Sequence, residues 1–222
     1  MANRASASIW CRGYGQETML RLYADLLATT PFSACRAGFA SLVVRVVDPA
    51  EAPASEHDLR NAPLDSGELA GLAGAIAQAD TALEALAHWD LWSFDPTAQN
   101  WQEKPERLEI CCYGTEYDAG AAAVEGHFQI DAGFEHFFTG HSGLLGNGAR
   151  RQPQHTAEAE FLSLMSAPER LREYREHTRK NILKFIGWMR VIEKQLTVER
   201  VKLWSEGEEN IESRLEEILA AR

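Results

Sequence analysis

Glu125-Gly126-His127-Phe128-Gln129-Ile130-Asp131-Ala132-Gly133-Phe134-Glu135-His136-Phe137-Phe138 is the stretch on which the fold reading turns. Apolar and polar residues alternate along it. Phe128, Ile130, Ala132 and Phe134 are expected on one side. His127, Gln129, Asp131 and Glu135 are expected on the other, with Gly133 between. A period of two with one wet face is the habit of an antiparallel strand. Residues 107–114 read as another strand, and the Gly/Ala-rich segment 118–124 joins the two, so a hairpin is expected. A hairpin set among helices points to α+β rather than to a strictly alternating α/β fold.

Toward the N-terminus, residues 7–14 read as a strand. Residues 17–28 read as a helix with Met19, Leu22, Tyr23, Leu26 and Leu27 on one stripe. Residues 39–47 are β-branched and almost wholly apolar, which predicts a central strand buried on both faces. Residues 49–64 hold three prolines and predict a long surface loop. Asp65 and Glu68 have capping-box spacing, and a helix is predicted from there to about Ala87.

Toward the C-terminus, residues 140–154 read as a Gly-rich loop and 156–165 as a helix. Ser166 and Glu169 suggest a second capping box, with Pro168 in the first turn. The helix beyond carries Leu171, Tyr174, Thr178, Ile182, Phe185, Ile186, Met189 and Ile192 along one face, to about Leu196. Residues 198–204 give a last strand, and Ser205 with Glu208 would cap a final helix. The expected order is β-α-β-α-β-β-α-α-β-α, a mixed sheet of about five strands with helices mainly on one face. One domain over 1–222 is preferred. The alternative is an acidic α/β part over 1–150 and a helical part with one strand over 151–222.

The 222 residues carry a formal net charge of −11. Residues 1–150 hold 9 Lys+Arg against 20 Asp+Glu, and residues 151–222 hold 13 of each, so the excess acid lies in the first part. That argues against nucleic acid, which needs clustered Lys and Arg, and leaves a basic partner open. The four cysteines form no C-x-x-C pair, and the N-terminus has no apolar signal region. Reduced thiols and a cytoplasmic address are expected. No stretch nears the roughly 18 apolar residues of a membrane helix, so no membrane partner is expected. No cofactor signature is present, and the oligomeric state is not legible.

Four constellations are candidate sites. His127, Asp131 and Glu135 share the wet side of the 125–138 strand. They span about 13 Å at roughly 3.3 Å per residue, so one metal would need His136, His141 or Glu109 to converge as well. The loop from Gly140 to Arg151 fails both the nucleophile-elbow and P-loop patterns, but Arg150 and Arg151 beside a Gly-rich turn suit an anion. Trp89, Trp92, Phe94 and Trp101 fall close together and suit either a stacking platform for a partner or a cover for the core. The outer face of the long helix is basic, which suits an acidic partner or a solvated surface.

No catalytic signature is complete, so the reading leans away from an enzyme. It favours a non-enzymatic cytoplasmic protein-binding module, in its most specific form an acidic immunity-like or antitoxin-like inhibitor of a basic protein. The alternative is a small metal-assisted hydrolase using His127, Asp131, Glu135 and His141 on the polar face of strand 125–138.

Overall fold

A computed structural model describes residues 3–145, 153 and 155–221. The element order is β1 (Arg4–Cys11), α1 (Gln16–Leu27), β2 (Ser41–Val46), β3 (Ser55–Asp58), α2 (Ser66–Gly74), β4 (Thr81–Asp95), β5 (Asn100–Tyr113), a 3-10 turn (Tyr117–Gly120), α3 (Ala121–Glu125), β6 (Phe128–Phe134), α4 (His136–Thr139), α5 (Thr156–Met165), α6 (Pro168–Gln195), β7 (Val198–Ser205) and α7 (Ile211–Ala220). The fold is α+β, but its sheet has seven strands rather than about five, in the order β3-β2-β4-β5-β6-β1-β7. Every pairing is antiparallel, so the expected mixed sheet is corrected.

The main error lies in the Ala/Leu-rich segment. The Asp65 box forms as predicted: Glu68 N–H donates to Asp65 at 2.8 Å, and Asp65 N–H donates to Glu68 at 2.9 Å. The helix nevertheless ends at Gly74, and Thr81–Asp95 is a strand of 15 residues. Alanine and leucine favour helix locally, yet Leu83, Ala85, Ala87, Trp89 and Leu91 sit at every second position and are all buried. Pairing with β2 on one side and β5 on the other overrides propensity.

Smaller corrections share this origin. β2 lies next to the edge strand β3 and buries only Leu42 and Val44, so it is one-sided. The expected loop 49–64 contains β3. Ser166 does not cap α6: its hydroxyl donates back to Leu162 O at 2.6 Å, Ala167 is the cap residue, and Pro168 opens the helix as expected. Asn210, not Ser205, caps α7 and accepts from Ser213 N–H at 3.1 Å.

One row of the sheet shows how the faces divide. Leu42, Ala85, Ile110, Ile130 and Ala7 are cross-strand neighbours and lie in the core. The next row, Val43, Glu84, Cys111, Gln129 and Ser8, faces the other way. On that side Arg45 pairs with Glu84 at 2.8 Å, Arg4 with Asp131 at 2.7 Å, and Arg107 with Glu109. Helices α1, α2, α4, α6 and α7 touch one another in a continuous layer over the apolar face.

The β4–β5 hairpin outruns its neighbours. β2 ends opposite Leu86, and β4 continues as an open edge. An unpaired edge must be satisfied or covered. Here Ala40 N–H donates to Leu86 O at 2.7 Å, Ser33 N–H to His88 O at 2.7 Å and Lys184 Nζ to Asp90 O at 2.6 Å. At Trp92 the Asn181 carboxamide takes the place of a strand: Trp92 N–H donates to its Oδ1 at 2.8 Å, and its Nδ2 donates to Trp92 O at 3.0 Å.

Candidate functional site: an aromatic cavity beside the long hairpin

Along β4 the apolar side changes. Up to Leu91 the odd-numbered positions are buried, whereas beyond it the large apolar residues are Trp92 and Phe94, with Trp101 opposite Phe94. Helix α6 crosses the β4 edge where this happens. Its C-terminal half packs Phe185 and Trp188 on Trp89, and its N-terminal half packs Tyr174 and His177 on Trp101, with His177 also on Trp92. Between the hairpin tip and α4, α5 and α6 there is a cavity of about 270 Å³.

Its walls are rings. Phe94 meets Trp101 and Phe161 edge-on, with centroids 5.5 and 5.9 Å apart. Trp101 stacks on Tyr174 at 5.3 Å, and Phe137 completes the lining on the α4 side. The polar groups lining the cavity are few: Ser93, His136, His141, Tyr174, Thr178 and Asn181, with no Asp, Glu, Lys or Arg among the described residues. Ala157 on α5 lines the cavity and is exposed, so it marks the mouth.

Each histidine is neutral for a physical reason. Burial and the neighbouring His141 hold His136 down at about 3, and burial holds His141 at about 4. Their rings lie 4.1 Å apart. The Tyr174 hydroxyl accepts the His141 backbone N–H at 2.7 Å and lies 2.8 Å from its Nδ1. Tyr174 is buried, so its hydroxyl proton needs an acceptor, and Nδ1 is the one within reach. That leaves the ring proton of neutral His141 on Nε2. Two side-chain atoms of lining residues, Ser93 Oγ and Trp101 Nε1, are shut off from solvent and cavity alike and have no hydrogen-bond partner; Thr30 Oγ1, away from the cavity, likewise has none. Native proteins rarely leave such groups unmade, and each costs about 1–3 kcal/mol.

The sequence-predicted residues separate into groups. Trp92, Phe94, Trp101 and His141 come together in the cavity. Trp89 lies apart: it is fully buried and donates its indole N–H to Ala132 O at 3.1 Å. His127 stacks on Tyr14 at 4.0 Å and accepts Cys11 N–H on Nδ1 at 2.8 Å. Asp131 holds Arg4. The alternation that put Glu135 beside them ends early. The β1–β6 register shifts between Ala5 and Ser6, Gly133 takes a φ of 114°, and Glu135 instead accepts from Ser205 Oγ and from Gly207 N–H at 3.0 Å. Arg150 and Arg151 lie outside the described residues.

Phe161, Thr178 and Asn181 also line the cavity, and no local sequence pattern marks them as site residues. The available signal was polarity on a buried stripe: Thr178 and Asn181 stand in line with Tyr174, and each is only 2% exposed. Among the described residues no group of three or more His, Cys, Asp or Glu is placed to hold a metal ion, and no helix is long and apolar enough to cross a membrane. No known family's model matches the chain, and neither a curated protein nor a solved structure matches it.

Proposed function

We propose that this chain is a non-enzymatic binding module of the cell interior and that the aromatic cavity is its recognition site. The observation that carries the reading is the cavity itself, about 270 Å³ walled by the rings of Trp92, Phe94, Trp101, Phe137, Phe161 and Tyr174, with His136, His141, Thr178 and Asn181 beside them and no Asp, Glu, Lys or Arg of the described residues in the lining. A concave apolar pocket with a few placed polar groups is the usual form of a small-ligand site. The acidic-inhibitor form of the binding reading has less support. Several acids of the first part already have cationic neighbours, among them Glu84, Asp95, Glu109 and Asp131. The hydrolase reading also has less support, because His127, Asp131, Glu135 and His141 are engaged by four different sets of partners.

The test is ligand-observed NMR with uncharged one- and two-ring fragments, on the wild type and on Ala157→Trp. Ala157 is exposed at the mouth, so the large indole closes the cavity without entering the core. Saturable binding that shifts the Trp92 and Trp101 indole signals, and is lost in Ala157→Trp at unchanged thermal stability, is expected. Fragments that bind both proteins equally would overturn the proposal.

A further inference from the structure

We infer that His136 is the side chain that reads the ligand of this cavity, and that the ligand is an uncharged compound of one or two flat rings bearing a hydroxyl, which donates to His136 and accepts from His141. This rests on the reading of the cavity as the recognition site and goes further by assigning the residue and the chemistry.

His136 opens α4 and lines the cavity. Its neighbours are rings. Phe134 lies nearly parallel to it at 5.7 Å, Phe137 is tilted at 4.5 Å, and His141 lies at 4.1 Å. Neither of its ring nitrogens has a hydrogen-bond partner among the described residues, and neither is among the atoms shut off from all surface. Both therefore stay within reach of a guest. That sets His136 apart from Ser93 and Trp101, whose unpartnered atoms nothing can touch. Burial keeps the imidazole neutral, so bulk water does not serve it well either. A largely buried side chain with unmet hydrogen bonds is rare in a native protein and calls for a partner from outside the chain.

The lining limits the size and charge of that partner. A buried cavity of about 150 Å³ takes benzene, and one of about 270 Å³ has room for a second fused ring. No Asp, Glu, Lys or Arg of the described residues lines it, and both histidines are neutral. An ion buried there would lose its hydration with no fixed charge to offset the loss.

The polar group follows from the two imidazoles. His141 Nδ1 is taken by the Tyr174 hydroxyl, so its Nε2 carries the proton and donates. Neutral His136 has one N–H and one bare nitrogen, and the bare nitrogen needs a donor. The Tyr174 proton already goes to His141, and the Asn181 carboxamide is spent on Trp92 and on Phe137 O. The donor therefore comes with the guest. A hydroxyl is the smallest group that gives a hydrogen bond to one imidazole and takes one from the other, and rings 4.1 Å apart let one oxygen serve both.

Naphthalene, 2-methoxynaphthalene, 2-naphthol and 2-naphthoate share one ring frame and carry, in turn, no polar group, an acceptor, a hydroxyl and an anion. Their dissociation constants would be measured at pH 7.5 by NMR on wild type and His136→Phe with ¹⁵N-labelled histidines. The variant keeps a flat ring and loses both nitrogens, and its missing signals assign His136. In the wild type 2-naphthol, but not naphthalene, is expected to move the bare nitrogen of His136 upfield, the mark of an accepted hydrogen bond. The affinity ratio of 2-naphthol to naphthalene is expected to fall about tenfold in His136→Phe, with naphthalene itself changed less than about threefold. 2-Methoxynaphthalene and 2-naphthoate are each expected to bind about tenfold more weakly than 2-naphthol, or weaker still. No upfield shift in the wild type, or an unchanged ratio in a folded His136→Phe, overturns the assignment to His136 while leaving the cavity as a site. A methoxy ether that binds as tightly as the naphthol overturns the hydroxyl, and tightest binding by the naphthoate overturns the uncharged class. If none of the four binds, the cavity reading itself falls.

Discussion

Trp89 and Trp101 sit on the same hairpin and serve opposite ends. Trp89 lies in the half that the rest of the sheet flanks. It is fully buried, and its N–H is satisfied by Ala132 O. Trp101 lies in the half that outruns the sheet, is only partly buried, and its N–H has no partner. Trp89 is enclosed by the core on all sides, whereas Trp101 borders the cavity. The same residue type fills the core at one end of the hairpin and borders an open cavity at the other.

This contrast is open to attack in four ways. Trp89→Ala should cost about 3–5 kcal/mol in urea unfolding, because it empties a packed site. Trp101→Ala should cost about half of that or less, since its ring already borders a void. Equal losses would erase the distinction between the two halves.

Acid strikes the cavity end first. Burial keeps His136 and His141 from protonating in the folded chain, whereas the unfolded chain takes up protons near the ordinary value of 6.5. The unfolded state then binds more protons below that pH, so this contribution is complete above about pH 6.5 and is lost as the pH falls toward 4. The loss should be on the order of 3 kcal/mol for each histidine over that window. Asp58 and Asp95, held down at about 2, stay charged throughout it. The comparison with His136→Phe in chemical denaturation at pH 7 and pH 4.5 checks this: a variant as acid-sensitive as the wild type would refute it.

Asn181→Leu keeps side-chain size but strands the N–H and C=O of Trp92, so a loss of about 2 kcal/mol is expected. Amide exchange should quicken at Trp92 and not at Leu83, which is paired on both sides. The smallest effect belongs to Arg45→Met. Its ion pair with Glu84 is partly exposed, and a change under about 1 kcal/mol in thermal unfolding is expected.

Local patterns explain which parts of the molecule could be read in advance. Helix α6 was legible because its stripe repeats over many turns and Pro168 marks its start. The α2 cap was legible because Asp65 and Glu68 form a complete local hydrogen-bond unit. β4 was not, because Ala82–Ala87 satisfies helix propensity and strand alternation together. The bulge at Ala132 was not, and with it went the placing of Glu135. Of the site, Trp92, Phe94, Trp101 and His141 were in view, while Phe161, Thr178 and Asn181 were hidden in helices whose local pattern says only that one side is buried.

By itself the sequence determined the α+β class, the stripe of α6, the capped start of α2 and a concentration of aromatics around residue 92, since all of these follow from neighbours within a few residues. Only the tertiary structure decided that Thr81–Asp95 is a strand, that the sheet has seven antiparallel members, and that the aromatics close around a cavity rather than a core. Those outcomes depend on partners as distant as Asn181 is from Trp92, and on whether a buried N–H finds its acceptor, which no local pattern encodes.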